Sequence, residues 1–250
     1  MSSPTNRPAA GTALETDTED WHARWRDNRI GFHQPDVNRL LMKFWPDIVP
    51  SPAGDVFVPL CGKSHDMTWL AERGHHVIGV ELSDVAARAY FDERGITPTQ
   101  TTPDDFNVLT GGGVEIWCGD YFAFPPERLA QTVGAFDRAS LIALPPAVRA
   151  RYAARMATLI PAGTQMLLLT IAYDQSEASG PPFSVPDTEV DALFAAAFEV
   201  THLGIKDATA VSGNLTSKGV TAVTSSAFTL RAKKTTSAAS TSGAAAAGQA

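Results

Sequence analysis

Asp55-Val56-Phe57-Val58-Pro59-Leu60-Cys61-Gly62-Lys63-Ser64-His65-Asp66, continued by Met67 to Gly74 and by His76-Val77-Ile78-Gly79-Val80-Glu81, is the stretch whose reading decides the fold. Val56 to Val58 is a short apolar run of β-formers, and Leu60-Cys61-Gly62 is a tight turn. His65 to Arg73 reads as a helix with Met67, Leu70 and Ala71 on one face, and Gly74 stands just past its end, where a left-handed cap costs least. A second apolar strand follows and ends on an acid. Such a crossover lays two parallel strands side by side with both carboxyl ends at one crevice. The turn is expected to present free backbone N–H groups at the crevice mouth. Glu81 stands about 20 residues further on, where a carboxylate can accept both hydroxyls of a ribose. That is a nucleoside site in outline, although a βαβ unit with no ligand has the same spacing.

A dinucleotide fingerprint needs three glycines, so that a pyrophosphate can approach the backbone and the helix start. Only Gly62 is present here, preceded by Pro59 and Leu60. A nucleoside without phosphates, such as S-adenosylmethionine, therefore fits better than a nicotinamide dinucleotide.

At 250 residues the chain suits one α/β domain with a substantial core. Hydrophobic content of 44% and charged content of 19% are ordinary for a globular protein. A net charge of -7 argues against nucleic acid or an anionic membrane as the main partner. Cys61 and Cys118 alone indicate no disulfide framework. The longest apolar run, Met166 to Tyr173, is too short to span a bilayer, and the N-terminus lacks the layout of a secretory signal. A cytoplasmic monomer is the simplest expectation.

Pro59-Leu60-Cys61-Gly62-Lys63 occurs together with Trp21-His22-Ala23-Arg24-Trp25, Ile30-Gly31-Phe32-His33-Gln34, Gly79-Val80-Glu81-Leu82-Ser83 and Asp137-Arg138. In that order these motifs resemble the thiopurine S-methyltransferase family, most closely its bacterial members, over roughly Trp21 to Phe198. The resemblance implies a class I S-adenosylmethionine-dependent methyltransferase fold: a doubly wound, mostly parallel seven-stranded sheet with a reversed C-terminal hairpin. It also implies methyl transfer to thiopurines and other aromatic or heterocyclic thiols. Methylation of inorganic selenium or tellurium species or of halides, as well as a non-catalytic nucleoside-binding module on the same fold, remain as alternatives.

Residues 1–16 are rich in Ser, Thr, Pro, Ala and Gly and are expected to be disordered; residues 17–232 form the methyltransferase domain, and residues 233–250 a disordered low-complexity tail. Asp17 or Thr18 is expected to cap a helix on which Trp21 and Trp25 share a face. The resemblance places Trp25 against the cofactor and leaves Trp21 as packing. Large aromatic faces also suit a sulfonium cation. Phe32 reads as a staple between helices or, by the resemblance, as an apolar wall for an aromatic acceptor. His33 reads as a loop anchor or a general base.

Asp36 is expected to cap a second helix that Pro46 ends, and Pro50-Ser51-Pro52-Ala53-Gly54 to link it to the first strand. Thr97 to Thr110 is ambiguous. Asp120 and Tyr121 follow an alternating strand, Val114 to Cys118. There a carboxylate can accept from the exocyclic amine of an adenine while the next N–H serves a ring nitrogen; the competing reading is an Asp that caps its own loop. Asp137 and Arg138 should reach the crevice, where Arg138 can neutralise the cofactor's carboxylate, place an anionic acceptor, or pair with Asp137. Cofactor contacts are thus expected from Trp25, Leu60, Glu81, Asp120, Tyr121 and Arg138, and acceptor positioning from Arg138 and Phe32. No catalytic residue is firmly indicated, because methyl transfer to an ionised thiol needs alignment more than acid–base help.

Family members usually carry arginine between the last two strands, expected here at Phe198 to Leu203 and Val220 to Leu230. In the stretch Asp207 to Gly219 this chain offers only Lys218. The spacings of Cys61, His65, His75, His76 and Cys118 match no common zinc pattern.

Overall fold

The computed structural model describes residues 13–50 and 54–234, with side chains from residue 20 onward. Among the described residues a mixed sheet runs in the order β3-β4-β5-β2-β1-β6-β7-β9-β8. Its strands are β1 (Asp55–Val58), β2 (His76–Glu81), β3 (Thr99–Thr101), β4 (Asn107–Gly111), β5 (Val114–Cys118), β6 (Thr132–Arg138), β7 (Gln165–Ala172), β8 (Phe198–Asp207) and β9 (Thr224–Ala232). β5, β2, β1, β6 and β7 are parallel, and β9 is the reversed strand between β7 and β8. Those seven are the expected core. The two additional strands come from the ambiguous Thr97–Thr110 segment, where β3 pairs antiparallel with β4 and β4 with β5. Exposed threonines on β3 gave no apolar alternation to read.

Helices cover both faces. Val56 and Val58 of β1 pack on one side with Leu41 and Trp45 of α2 (Arg39–Ile48), Met67 and Leu70 of α3 (His65–Glu72), and Tyr90 and Phe91 of α4 (Asp84–Asp92). Phe57 points to the other side, with Tyr152 and Met156 of α5 (Pro146–Leu159) and Val190 and Phe194 of α6 (Asp187–Phe194). This alternation follows from the period of two along a strand, and burial on both faces explains why β7 is nearly all apolar.

Several boundaries differ from the sequence expectation. α1 (Ala13–Arg26) starts four residues before Asp17. Asn38, not Asp36, caps α2, its side chain accepting from the N–H of Leu40 and Leu41 at 2.9 and 3.3 Å. Pro46 sits inside α2 because it lies in the last turn, where the helix still closes through the Val49 N–H on Trp45 O at 2.9 Å. The last strands run to Asp207 and begin at Thr224, with a short α7 (Gly213–Thr216) between them. Residues 1–12, 51–53 and 235–250, which carry most of the expected disordered ends and part of the linker, lie outside the described residues. Among the described residues no helix is long and apolar enough to cross a membrane.

Candidate functional site

The carboxyl ends of β1, β2 and β6 open on a cavity of about 390 Å³, at the point where the strand order reverses about β1. The turn after β1 sets its floor. Leu60 takes φ +42 and Gly62 φ +53, left-handed values that are costly for leucine and free for glycine. Gly79 of β2 admits the turn, since a Cβ there would lie 2.7 Å from Cys61 Sγ.

Three of the turn's N–H groups are spent inside the protein. Cys61 N donates to Val80 O at 2.9 Å, Ser64 N to Cys61 O at 3.3 Å, and Gly62 N to Glu81 Oε2 at 2.8 Å. This corrects the expectation of free N–H groups at the crevice mouth for Cys61, Gly62 and Ser64. The reason is Glu81 itself: its other oxygen accepts from Ser83 N at 2.8 Å, so the carboxylate is clamped between two backbone donors. Burial pushes its pKa up, while the N–H groups of Ser83 and Gly62 pull it back. Two N–H bonds leave a further lone pair on each oxygen of this cavity-lining carboxylate, the kind of acceptor a ribose diol requires.

Arg138, at the end of β6, lines the cavity from the other side. Its Nε donates to Asp66 Oδ2 at 2.6 Å and its Nη2 to Ser64 Oγ at 3.0 Å. Its partner is thus the buried Asp66 of α3, not the neighbouring Asp137, because successive strand residues face opposite ways. Asp66 also accepts from Asn38 N at 2.8 Å, tying α2 to the site. Arg138 Nη1 makes no hydrogen bond among the described residues.

Asp137 is fully buried under the cavity and accepts from Tyr152 Oη at 2.7 Å, while its Oδ1 has no partner. It therefore does not reach the crevice as expected. Burial raises its pKa from 3.8 to about 6 against the pull of the Tyr152 hydroxyl. A carboxyl whose folded pKa lies above its unfolded value loses stability as pH rises between the two, here from about 4 to about 6. Asp137→Asn should flatten that part of a urea-unfolding pH profile. The slope removed corresponds to as much as about 3 kcal/mol, at 1.36 kcal/mol per unit.

The N-terminal helix closes the cavity. Phe32 stands edge-on to both Trp21 and Trp25, with centroids 5.4 and 5.3 Å apart, and all three rings line the cavity. Both of its ring partners belong to α1, so Phe32 does not staple two helices together as one sequence reading expected. The Trp25 ring lies over the turn, where a Cβ on Gly62 would meet it at 3.2 Å. If Trp25 packs against the cofactor as the resemblance implies, Trp25→Ala should weaken its binding about tenfold by calorimetry, of the order of one cation–π contact of 1–2 kcal/mol. A thermal melt run alongside measures the packing lost with the ring.

Asp120 and Tyr121 are not in the cavity lining. Asp120 caps its own loop, accepting from Phe122 N at 2.9 Å, and the buried Tyr121 ring stacks on Tyr152 at 4.8 Å. Sequence reading missed Asp66, Ser64, Lys63 and Ile142 in the lining. Ser64-x-Asp66 at a helix start reads as ordinary capping, which Ser64 does supply to Asp66 N at 3.2 Å. Among the described residues no three of His, Cys, Asp or Glu gather as a metal site. His75 lies under Trp45, accepting from its Nε1 at 3.1 Å, and His76 pairs with Asp55 at 3.1 Å.

Residues 16–233 match the family model for thiopurine S-methyltransferase. A thiopurine S-methyltransferase of Pseudomonas syringae pv. tomato is 43% identical over 213 residues, 85% of this chain and 97% of that protein. One from Methylococcus capsulatus is 43% identical over 87% of this chain and 98% of its own length. Among solved structures, 1,6-didemethyltoxoflavin-N1-methyltransferase of Burkholderia thailandensis, bound to S-adenosylhomocysteine, aligns at TM-score 0.60 and 18% identity over 93% of this chain and 95% of its own. A SAM-dependent methyltransferase of Anabaena variabilis aligns at TM-score 0.60 and 11% identity over 92% and 99%.

Proposed function

The chain belongs to the thiopurine S-methyltransferase family, and from that premise we propose that it methylates the sulfur of thiopurines and other aromatic or heterocyclic thiols. It is an S-adenosylmethionine-dependent methyltransferase. The residues present suit that cofactor. The clamped Glu81 carboxylate offers lone pairs to a diol, the Gly62 N–H is held by Glu81 and not offered to a phosphate, and Trp25 and Leu60 supply apolar surface. When bound, S-adenosylmethionine supplies an activated methyl group. Glu81 would hold the ribose, Trp25 and Leu60 the apolar faces, and Arg138 Nη1 a carboxylate of the cofactor or the charge of the acceptor. Asp120 and the Tyr121 N–H are assigned to the adenine on their place at the carboxyl end of β5, beside β2.

The observation that carries the thiol reading is the apolar part of the lining. Phe32, Ile142, Pro181 and Pro182 line the cavity together with Lys218, whose Nζ donates among the described residues only to Pro181 O at 3.4 Å. A lining that mixes apolar rings with cations suits an aromatic acceptor that carries a developing thiolate. Residues 17–232 are the catalytic unit in this reading. A monomer acting on xenobiotic thiols in a reducing cytoplasm is the setting, supported by the free thiols Cys61 and Cys118. A methylation screen over heterocyclic thiols, selenite and halide tests it. Turnover of thiols is the expected result; turnover confined to selenite or halide, or none at all, would overturn it.

A further inference from the structure

The titratable side chains lining the cavity differ sharply in what they can still accept. Glu81 already takes two backbone N–H bonds. Asp66 takes the Arg138 guanidinium, the Ser64 hydroxyl and the Asn38 N–H. Cys61 is buried, its thiol pushed far up by desolvation and by Glu81. The other titratable wall residues are arginines and lysines, which only donate. His33 is left. Its loop is pinned by its own N–H on Ile30 O at 2.8 Å, its ring packs 5.5 Å from His65, and neither ring nitrogen hydrogen-bonds among the described residues.

Building on the thiol reading above, we propose that His33 is the base that takes the proton of acceptors which arrive as neutral thiols. The S–H bond breaks and its proton passes to the free lone pair of the imidazole. The sulfur keeps the electron pair, bonds to the methyl carbon, and the pair of the broken carbon–sulfonium bond stays with the cofactor sulfur, so charge balances as imidazolium. Water then takes the proton. The surroundings support this role from every element that faces the ring. Burial lowers the His33 pKa, as do Lys63 of the turn, His65 of α3 and Arg138 of β6, while Glu93 beyond α4 opposes them. The imidazole is thus neutral and competent near pH 7, and Lys63 and Arg138, which keep it so, also favour the thiolate it leaves. A free thiol near pKa 8.5 is only a few per cent ionised at that pH, so a base has a barrier to lower.

The test compares a nitro-substituted aryl thiol, ionised at neutral pH, with benzyl thiol, which stays protonated, in wild type and His33→Gln. The expected result is a loss of about 10²- to 10⁴-fold in kcat/KM for benzyl thiol, with the ionised thiol within about threefold. The acid limb of the wild-type benzyl thiol profile should lie below the ordinary histidine pKa of about 6.5 and disappear in the variant. A second readout needs no turnover: with S-adenosylhomocysteine in place of the methyl donor, a bound heterocyclic thiol should show thiolate ultraviolet absorbance on wild type and thiol absorbance on His33→Gln. Equal losses on both thiols, no loss on either, or unchanged absorbance would overturn the assignment of His33. Wild type inert to every thiol would instead overturn the thiol reading, and this inference with it.

Discussion

Glu81→Ala should raise the dissociation constant for S-adenosylmethionine by about 100- to 1,000-fold while the protein still folds. The figure follows from two hydrogen bonds to a charged acceptor at about 1.5–2 kcal/mol each, with 1.4 kcal/mol per tenfold. Stability moves less, because two terms oppose each other. The variant leaves the Gly62 and Ser83 N–H groups without their acceptor, and it also removes a buried charge whose desolvation already pushes its pKa up. Isothermal calorimetry with a thermal melt separates the two. The pH dependence has a definite sign. Ribose hydroxyls favour the ionised carboxylate, so binding lowers the Glu81 pKa, and wild-type affinity should be constant above the raised pKa of the free site and fall as pH drops through it. Unchanged affinity in a folded Glu81→Ala protein would remove the basis of the assigned nucleoside site.

The same residue shows how far the chain could be read from its letters. β1, the turn, α3, Gly74 and β2 were legible because each carries a local signal: β-formers, a helical stripe, and a glycine that the structure puts at φ +88. Glu81 was legible through its distance from the turn. Its hold on Gly62 N was not, since a backbone donor has no letter in the sequence. Asp66 was hidden for a related reason: its partners are Arg138, 72 residues away, and the N–H of Asn38, 28 residues away. The β3–β4 pair escaped because an edge strand with exposed threonines has no apolar period. Asp137 misled because adjacency to Arg138 suggested a shared crevice, whereas strand alternation sends one side chain up and the other down to Tyr152.

Arg138→Ala should cost about 3 kcal/mol of stability, near the lower end of what breaking a buried ion pair costs. The lower end applies because Asp66, only 1% exposed, keeps Ser64 Oγ and Asn38 N as donors. For a chain of this size that is a fall in Tm of roughly 6–12 °C. Loss of cofactor affinity in this variant alone would be ambiguous, because a shifted α3 would disturb the turn that holds Glu81. Asp66→Asn combined with Arg138→Ala resolves it. A neutral amide at position 66 needs no counter-charge and can still accept from Asn38 N, so the double variant should regain most of the Tm. If Arg138 Nη1 binds the cofactor's carboxylate or the acceptor, ligand affinity in the double variant should stay about tenfold or more below wild type, the size of one lost charge-assisted bond. Recovery of affinity together with Tm would make Arg138 a brace for α3 and leave the anionic end of the ligand to Lys218.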